Sequence, residues 1–248
     1  MTWLYKKSKI WFAVMWIVIY VVGTSAADAL SAALGTEKLL TLPFLGLLTL
    51  TVLIWMHRSG LLREFGLCKP CLGPKQMLYY IPLIVLVSCN LWFGVQAQLP
   101  LPELLLYMGS MLLVGFLEEL IFRGFLFQAM RRDGLRMAMI VSSLTFGIGH
   151  IVNLFNGSGA QLLANFCQVC YAVAAGFLFV IIFYKSKSLL PCIATHSLLN
   201  ALSAFAPPLD DAQQILSASL LCLIPGVYIL WLLRQNTPSD EEKEAAHG

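Results

Sequence analysis

Long apolar stretches alternate with short polar linkers along this chain. Eight stretches, near 10–34, 39–57, 76–95, 103–130, 136–155, 161–184, 188–206 and 213–233, are apolar enough to cross a bilayer. A spanning helix needs about 20 such residues at about 1.5 Å of rise each. Backbone polar groups find no water partner in lipid, so each run must satisfy its own as a helix. The pattern therefore predicts an all-α, polytopic integral membrane helical bundle of eight transmembrane helices. No internal repeat is visible and no soluble domain interrupts the runs, so residues 1–234 read as a single integral membrane domain. The polar end, 235–248, reads as a disordered cytoplasmic tail.

Composition agrees with the pattern. The 248 residues are 59% hydrophobic and 12% charged, where a soluble domain carries about 25% charged residues. This argues against a soluble enzyme and against nucleic acid as a partner, and makes the lipid bilayer the first partner. The net charge is +3, but the placement of the cations says more than their sum. Lys6, Lys7 and Lys9 sit at the N-terminus, and Arg58, Arg63, Lys69 and Lys75 in the second linker. Arg131, Arg132 and Arg136 follow in the fourth, Lys185 and Lys187 in the sixth, and Arg234 and Lys243 at the end. The alternate linkers hold only Lys38, and Arg123 lies inside a span. By the positive-inside rule this predicts a multi-pass protein with both termini cytoplasmic. Lys6-Lys7 followed by an apolar run, with Ser25, Ala26 and Ala27 beyond, has the outline of a signal peptide. Cleavage there would break the alternation, so the first helix is read as retained.

Seven cysteines in mostly apolar surroundings do not form a disulfide framework. Cys68-Lys-Pro-Cys71 reads as two reduced thiols in a turn, and Cys167 and Cys170 as packing residues.

Ionisable groups inside spans cost at least about 2.5–3.5 kcal/mol each on insertion scales, which makes them functional suspects. Glu118, Glu119 and Arg123 lie in the fourth span, His150 in the fifth and His196 in the seventh. Asp28, near the outer end of the first, reads as structural. From the cytoplasmic ends of their spans, Glu118, His150, His196 and Asn200 lie roughly 18, 21, 12 and 18 Å deep. Glu119 and Arg123 are i, i+4 and can pair, while Glu118 points about 100° away. Phe146 with His150 and His196 with Asn200 are further i, i+4 pairs. A buried carboxylate beside an imidazole suits activation of water. A second imidazole with a carboxamide suits stabilisation of an oxyanion. A structural ion pair, or a histidine bonded to a neighbouring carbonyl, would explain any one of these residues. Their matching depth on three helices favours a site.

These residues spell Glu118-Glu119-Leu-Ile-Phe-Arg123, Phe146-Gly-Ile-Gly-His150 and His196-Ser-Leu-Leu-Asn200. The ordered trio resembles the E-E-x-x-x-R, F-x-x-x-H and H-x-x-x-N/B motifs of the CAAX protease and bacteriocin-processing family of intramembrane endopeptidases, over a core of about 100–205. The resemblance implies that Glu118 and His150 position and activate water, and that His196 and Asn200 form the oxyanion site. Glu119, Arg123 and Phe146 would support the cavity. It implies a peptidase acting on membrane-embedded or membrane-associated peptide substrates, with bacteriocin or peptide maturation or self-immunity as its setting. The compact chain and Lys-rich loops suggest a bacterial cell membrane. No cofactor is expected: Asn is a better oxyanion donor than metal ligand, and neither an H-E-x-x-H nor a G-x-S-x-G motif is present. Were a divalent metal such as Zn²⁺ bound, Glu118, His150 and His196 would be its candidates. The alternatives are a proton-coupled transporter and a catalytically idle membrane immunity or binding protein. The absence of repeated halves and the intact motif set weigh against them.

Overall fold

The computed structural model describes residues 1–78, 80–156 and 160–235. Residues 236–248 of the expected tail lie outside them. In chain order the helices are α1 (Thr2–Lys7), α2 (Lys9–Ala33), α3 (Thr41–Arg58), α4 (Pro74–Met77), α5 (Tyr80–Val87), α6 (Leu101–Glu119), α7 (Gln128–Met130), α8 (Leu135–Gly149), α9 (Leu162–Ser186), α10 (Leu190–Leu202) and α11 (Asp211–Arg234). No strand occurs among the described residues, as the apolar runs predict.

Helix starts follow local chemistry. The Ser8 side chain accepts from Trp11 N–H ahead of α2, and Asp210 exchanges a reciprocal pair of bonds with Gln213 ahead of α11. Pro100 precedes α6, and a further proline sits in its first turn, where no N–H is needed. Between α6 and α7, Leu120–Phe127 form a wider π-helical segment, so Leu101–Met130 is one continuous rod.

Among the described residues, six helices are long and apolar enough to cross a membrane: Lys9–Ala33, Thr41–Arg58, Leu101–Met130, Leu135–Leu154, Leu162–Ser186 and Asp211–Arg234. The third and seventh expected spans are shorter than the runs suggest. They are Ile81–Leu91 and Leu190–Phe205, in the range of 10–17 residues, against about 20 for a full crossing. Backbone breaks explain the shortening. Leu78 is left-handed (φ 49°), and beyond the 3₁₀ turn Ser88–Leu91 Gly94 also has positive φ. Lys187 is left-handed (φ 57°) just before α10, and Pro207-Pro208 follow its closing 3₁₀ turn.

Side chains such as Trp11, Val18 and Val22 on α2 and Leu47, Leu50 and Ile54 on α3 are exposed, as lipid-facing groups would be. Packing inside uses close backbone approach. A Cβ on Gly115 of α6 would sit 2.5 Å from Ser197 N of α10, and Ser197 Oγ donates to Leu112 O at 2.8 Å. A Cβ on Gly147 of α8 would come within 2.8 Å of Val173 N of α9. Small residues let membrane helices meet in this way. At one end Tyr5, Phe12, Trp55, Phe65 and Phe125 form an aromatic cluster joining α1, α2, α3 and the π segment. The Cys68 and Cys71 thiols donate to the Lys187 and Lys185 carbonyls, each at 3.4 Å. This ties their loop to the end of α9.

Candidate active site

The Gly115–Ser197 contact carries α10 against the last turn of α6, where both acidic motif residues stand. Glu119 and Arg123 pair at 3.1 Å, both with no solvent exposure. The guanidinium also lies 4.1 Å from the Phe146 ring centre and 5.7 Å from that of Phe179. A desolvated cation is stabilised by such ring faces. Arg123 Nε and Nη2 and Glu119 Oε2 have no hydrogen-bond partner among the described residues.

His196 lies between the two carboxylates. Its Nδ1 meets Glu119 Oε1 at 2.9 Å, and its Nε2 stands 3.4 Å from Glu118 Oε2. With Nδ1–H donating to Glu119, Nε2 can donate as well only when the ring carries both protons. The ring is wedged edge-on to Phe146 at 5.6 Å and against Phe179 at 5.8 Å. Glu119 therefore holds both Arg123 and His196. The i, i+4 spacing shows the first link and is silent on the second.

Glu118 leaves Arg123 to Glu119, as its rotation on the helix predicts. Its Oε1 accepts from the Tyr20 hydroxyl of α2 at 2.8 Å, and its side chain is about one-eighth exposed (12%). His150 ends α8 at the start of a 3₁₀ turn. Its Nδ1 is 3.1 Å from the Phe146 carbonyl, which leaves Nε2 for other work. Asn165 fixes the backbone there by donating to His150 O at 2.8 Å. Ahead of Asn200, the Leu199 carbonyl accepts from the Asn90 amide at 2.7 Å.

Two cavities meet at these residues. One, of about 440 Å³, is lined by Glu118, Tyr20, His150, Asn200 and the Asp28–Lys38 pair. The other, of about 330 Å³, is mainly apolar and reaches between α9 and α11; His196, His150, Asn200 and Phe146 line it. Phe146, His150 and Asn200 belong to both walls. The structure thus brings every motif residue to one place. Asp28 is tied to Lys38 at 2.9 Å and to Thr41, in keeping with a structural role.

Of the candidate metal donors, Glu118 and His196 stand together, 3.4 Å apart. Among the described residues no three of His, Cys, Asp and Glu are grouped to hold a metal ion. His150 has one ring nitrogen committed to a backbone carbonyl.

Tyr20 and Asn90 escape the motif reading. The available signal for Tyr20 is its place on α2 with Phe12 and Trp16 at i, i+4, i+8. That stripe is buried throughout, and its last member must find a partner for a hydroxyl.

Comparison with known proteins agrees with the motifs. Residues 100–202 match the family described as Type II CAAX prenyl endopeptidase Rce1-like. No curated protein and no solved structure matches the chain significantly.

Proposed function

Because residues 100–202 match this family of intramembrane proteases, we propose that the chain hydrolyses peptide bonds of membrane-associated substrates with water activated by Glu118. The observation that carries this reading is a carboxylate on the wall of a polar cavity inside an apolar bundle, hydrogen-bonded on one oxygen and close to an imidazole on the other.

The sequence of events follows from the residues. Water in the larger cavity, held by His150, loses a proton to Glu118 as its oxygen attacks the peptide carbonyl carbon. The carbonyl π pair moves onto oxygen, and His196 with the Asn200 amide donate to that oxyanion. Collapse re-forms the carbonyl and breaks the C–N bond. Glu118 then passes its proton to the departing amine. Glu119 and Arg123 keep the His196 ring oriented, and Phe146 walls the site between them. No step in this scheme requires a metal. Maturation of a small secreted peptide, or self-immunity against one, is the physiological setting we propose, in a cell membrane with both termini cytoplasmic.

Cleavage of a reporter peptide by purified protein in lipid nanodiscs tests this reading. His150→Ala should abolish turnover. Asn200→Ala should slow it by about 10²–10³, the cost of one oxyanion donor. Chelator should leave the wild type active. A wild type silenced by chelator and restored by zinc would overturn the metal-free mechanism.

A further inference from the structure

Tyr20 stands on α2, outside the 100–202 segment that carries the motifs, yet its hydroxyl reaches Glu118 Oε1 at 2.8 Å. The register that puts it there is over-determined. Phe12, Trp16 and Tyr20 form one face of α2 and are 1%, 2% and 6% exposed. Phe12 packs edge-on to Phe125 with ring centres 5.1 Å apart, and Trp16 meets the same ring at 6.2 Å. From Phe12 to Tyr20 is about 12 Å along α2, and Glu118 lies seven residues before Phe125 on the opposing rod. The helices run antiparallel, so aromatic contact at one end delivers the phenol to the carboxylate at the other.

We propose that Tyr20 is a positioning residue for the Glu118 base. A glutamate carboxyl turns freely about its last bond unless something fixes it. The Tyr20 bond claims Oε1 and leaves Oε2, on the His196 side, as the oxygen that takes the proton from water. The geometry is specific to the hydroxyl, since the ring alone would fill the same buried face without holding the carboxylate. The first long helix thereby becomes part of the active site. This inference rests on Glu118 being the base.

Tyr20→Phe keeps the ring and removes the donor. In the reporter assay it should lower kcat roughly 10- to 100-fold, the scale of a small misplacement of a reacting group, with KM within about twofold. Its unfolding temperature in detergent should match wild type. In a Glu118→Gln background it should have no further effect on the residual rate. Incorporation of 3-fluorotyrosine at position 20, which retains the donor, should keep kcat close to wild type. An unchanged kcat in Tyr20→Phe overturns the proposal, as does a rise in KM that matches the fall in kcat. If Tyr20→Phe does not fold, the fluorinated protein carries the test: its ¹⁹F resonance should move when Glu118 becomes Gln, and an unmoved resonance overturns the proposal. Failure here is separable from failure of the base assignment. A Glu118→Gln variant with full turnover removes both, whereas an inactive one beside a fully active Tyr20→Phe removes only the role of Tyr20.

Discussion

Arg123 has no solvent contact and one hydrogen bond to Glu119, and it rests on the Phe146 and Phe179 rings. Removing one partner of a buried pair typically costs about 3–5 kcal/mol, because the other charge is left unmatched. Arg123→Ala should therefore sharply lower the yield of folded protein in detergent, read by size-exclusion chromatography and thermal unfolding. Glu119→Gln added to it should recover part of the loss; a stable Arg123→Ala would contradict the pairing. Glu118, Glu119, Arg123, His150 and His196 were legible in the sequence because charge inside an apolar run has few bland explanations. Tyr20 was not, since a tyrosine in a membrane helix reads equally as an interfacial aromatic. The bridge from His196 to Glu119 was illegible too. It joins residues 77 positions apart and depends on the depth at which α10 meets α6.

At the scale of elements, that meeting depends on glycine. Gly115→Ala would place a Cβ within 2.5–2.7 Å of Ser197 N, Cα and Oγ, so α10 must move away from α6 and take His196 with it. The expected outcome is loss of both reporter cleavage and thermal stability. Gly46→Ala on α3, where an added Cβ meets nothing within 4 Å, should be neutral. Equal behaviour of the two variants would contradict the packing account. The apolar runs located all the long helices to within a few residues. They did not reveal that two were short, because run length is blind to the left-handed Leu78 and Lys187 that break the backbone. The π-helical segment Leu120–Phe127 was hidden as well. Its residues fit a regular helix, and nothing in local sequence asks for the wider turn that follows the two glutamates and contains Arg123.

Across the whole molecule, the short α10 matters for topology. The alternating cations predict that it crosses to the opposite face. Asp133 and Asp210 are both exposed and flank α8, α9 and α10. In a cysteine-free background, Asp133→Cys should label from the cytoplasm and Asp210→Cys from outside. Labelling of both from one side would show that α10 does not cross. Whatever that outcome, the polar and apolar cavities meet at Phe146, His150 and Asn200, and the hydrolytic account hangs on the carboxylate beside them. The most direct test is single-turnover cleavage of the reporter by Glu118→Gln, which keeps size and polarity but cannot take a proton from water. The rate should fall by about 10²–10⁴, the usual contribution of a general base, while reporter binding and the unfolding temperature stay at wild-type values. A Glu118→Gln protein that cleaves at the wild-type rate would contradict the account.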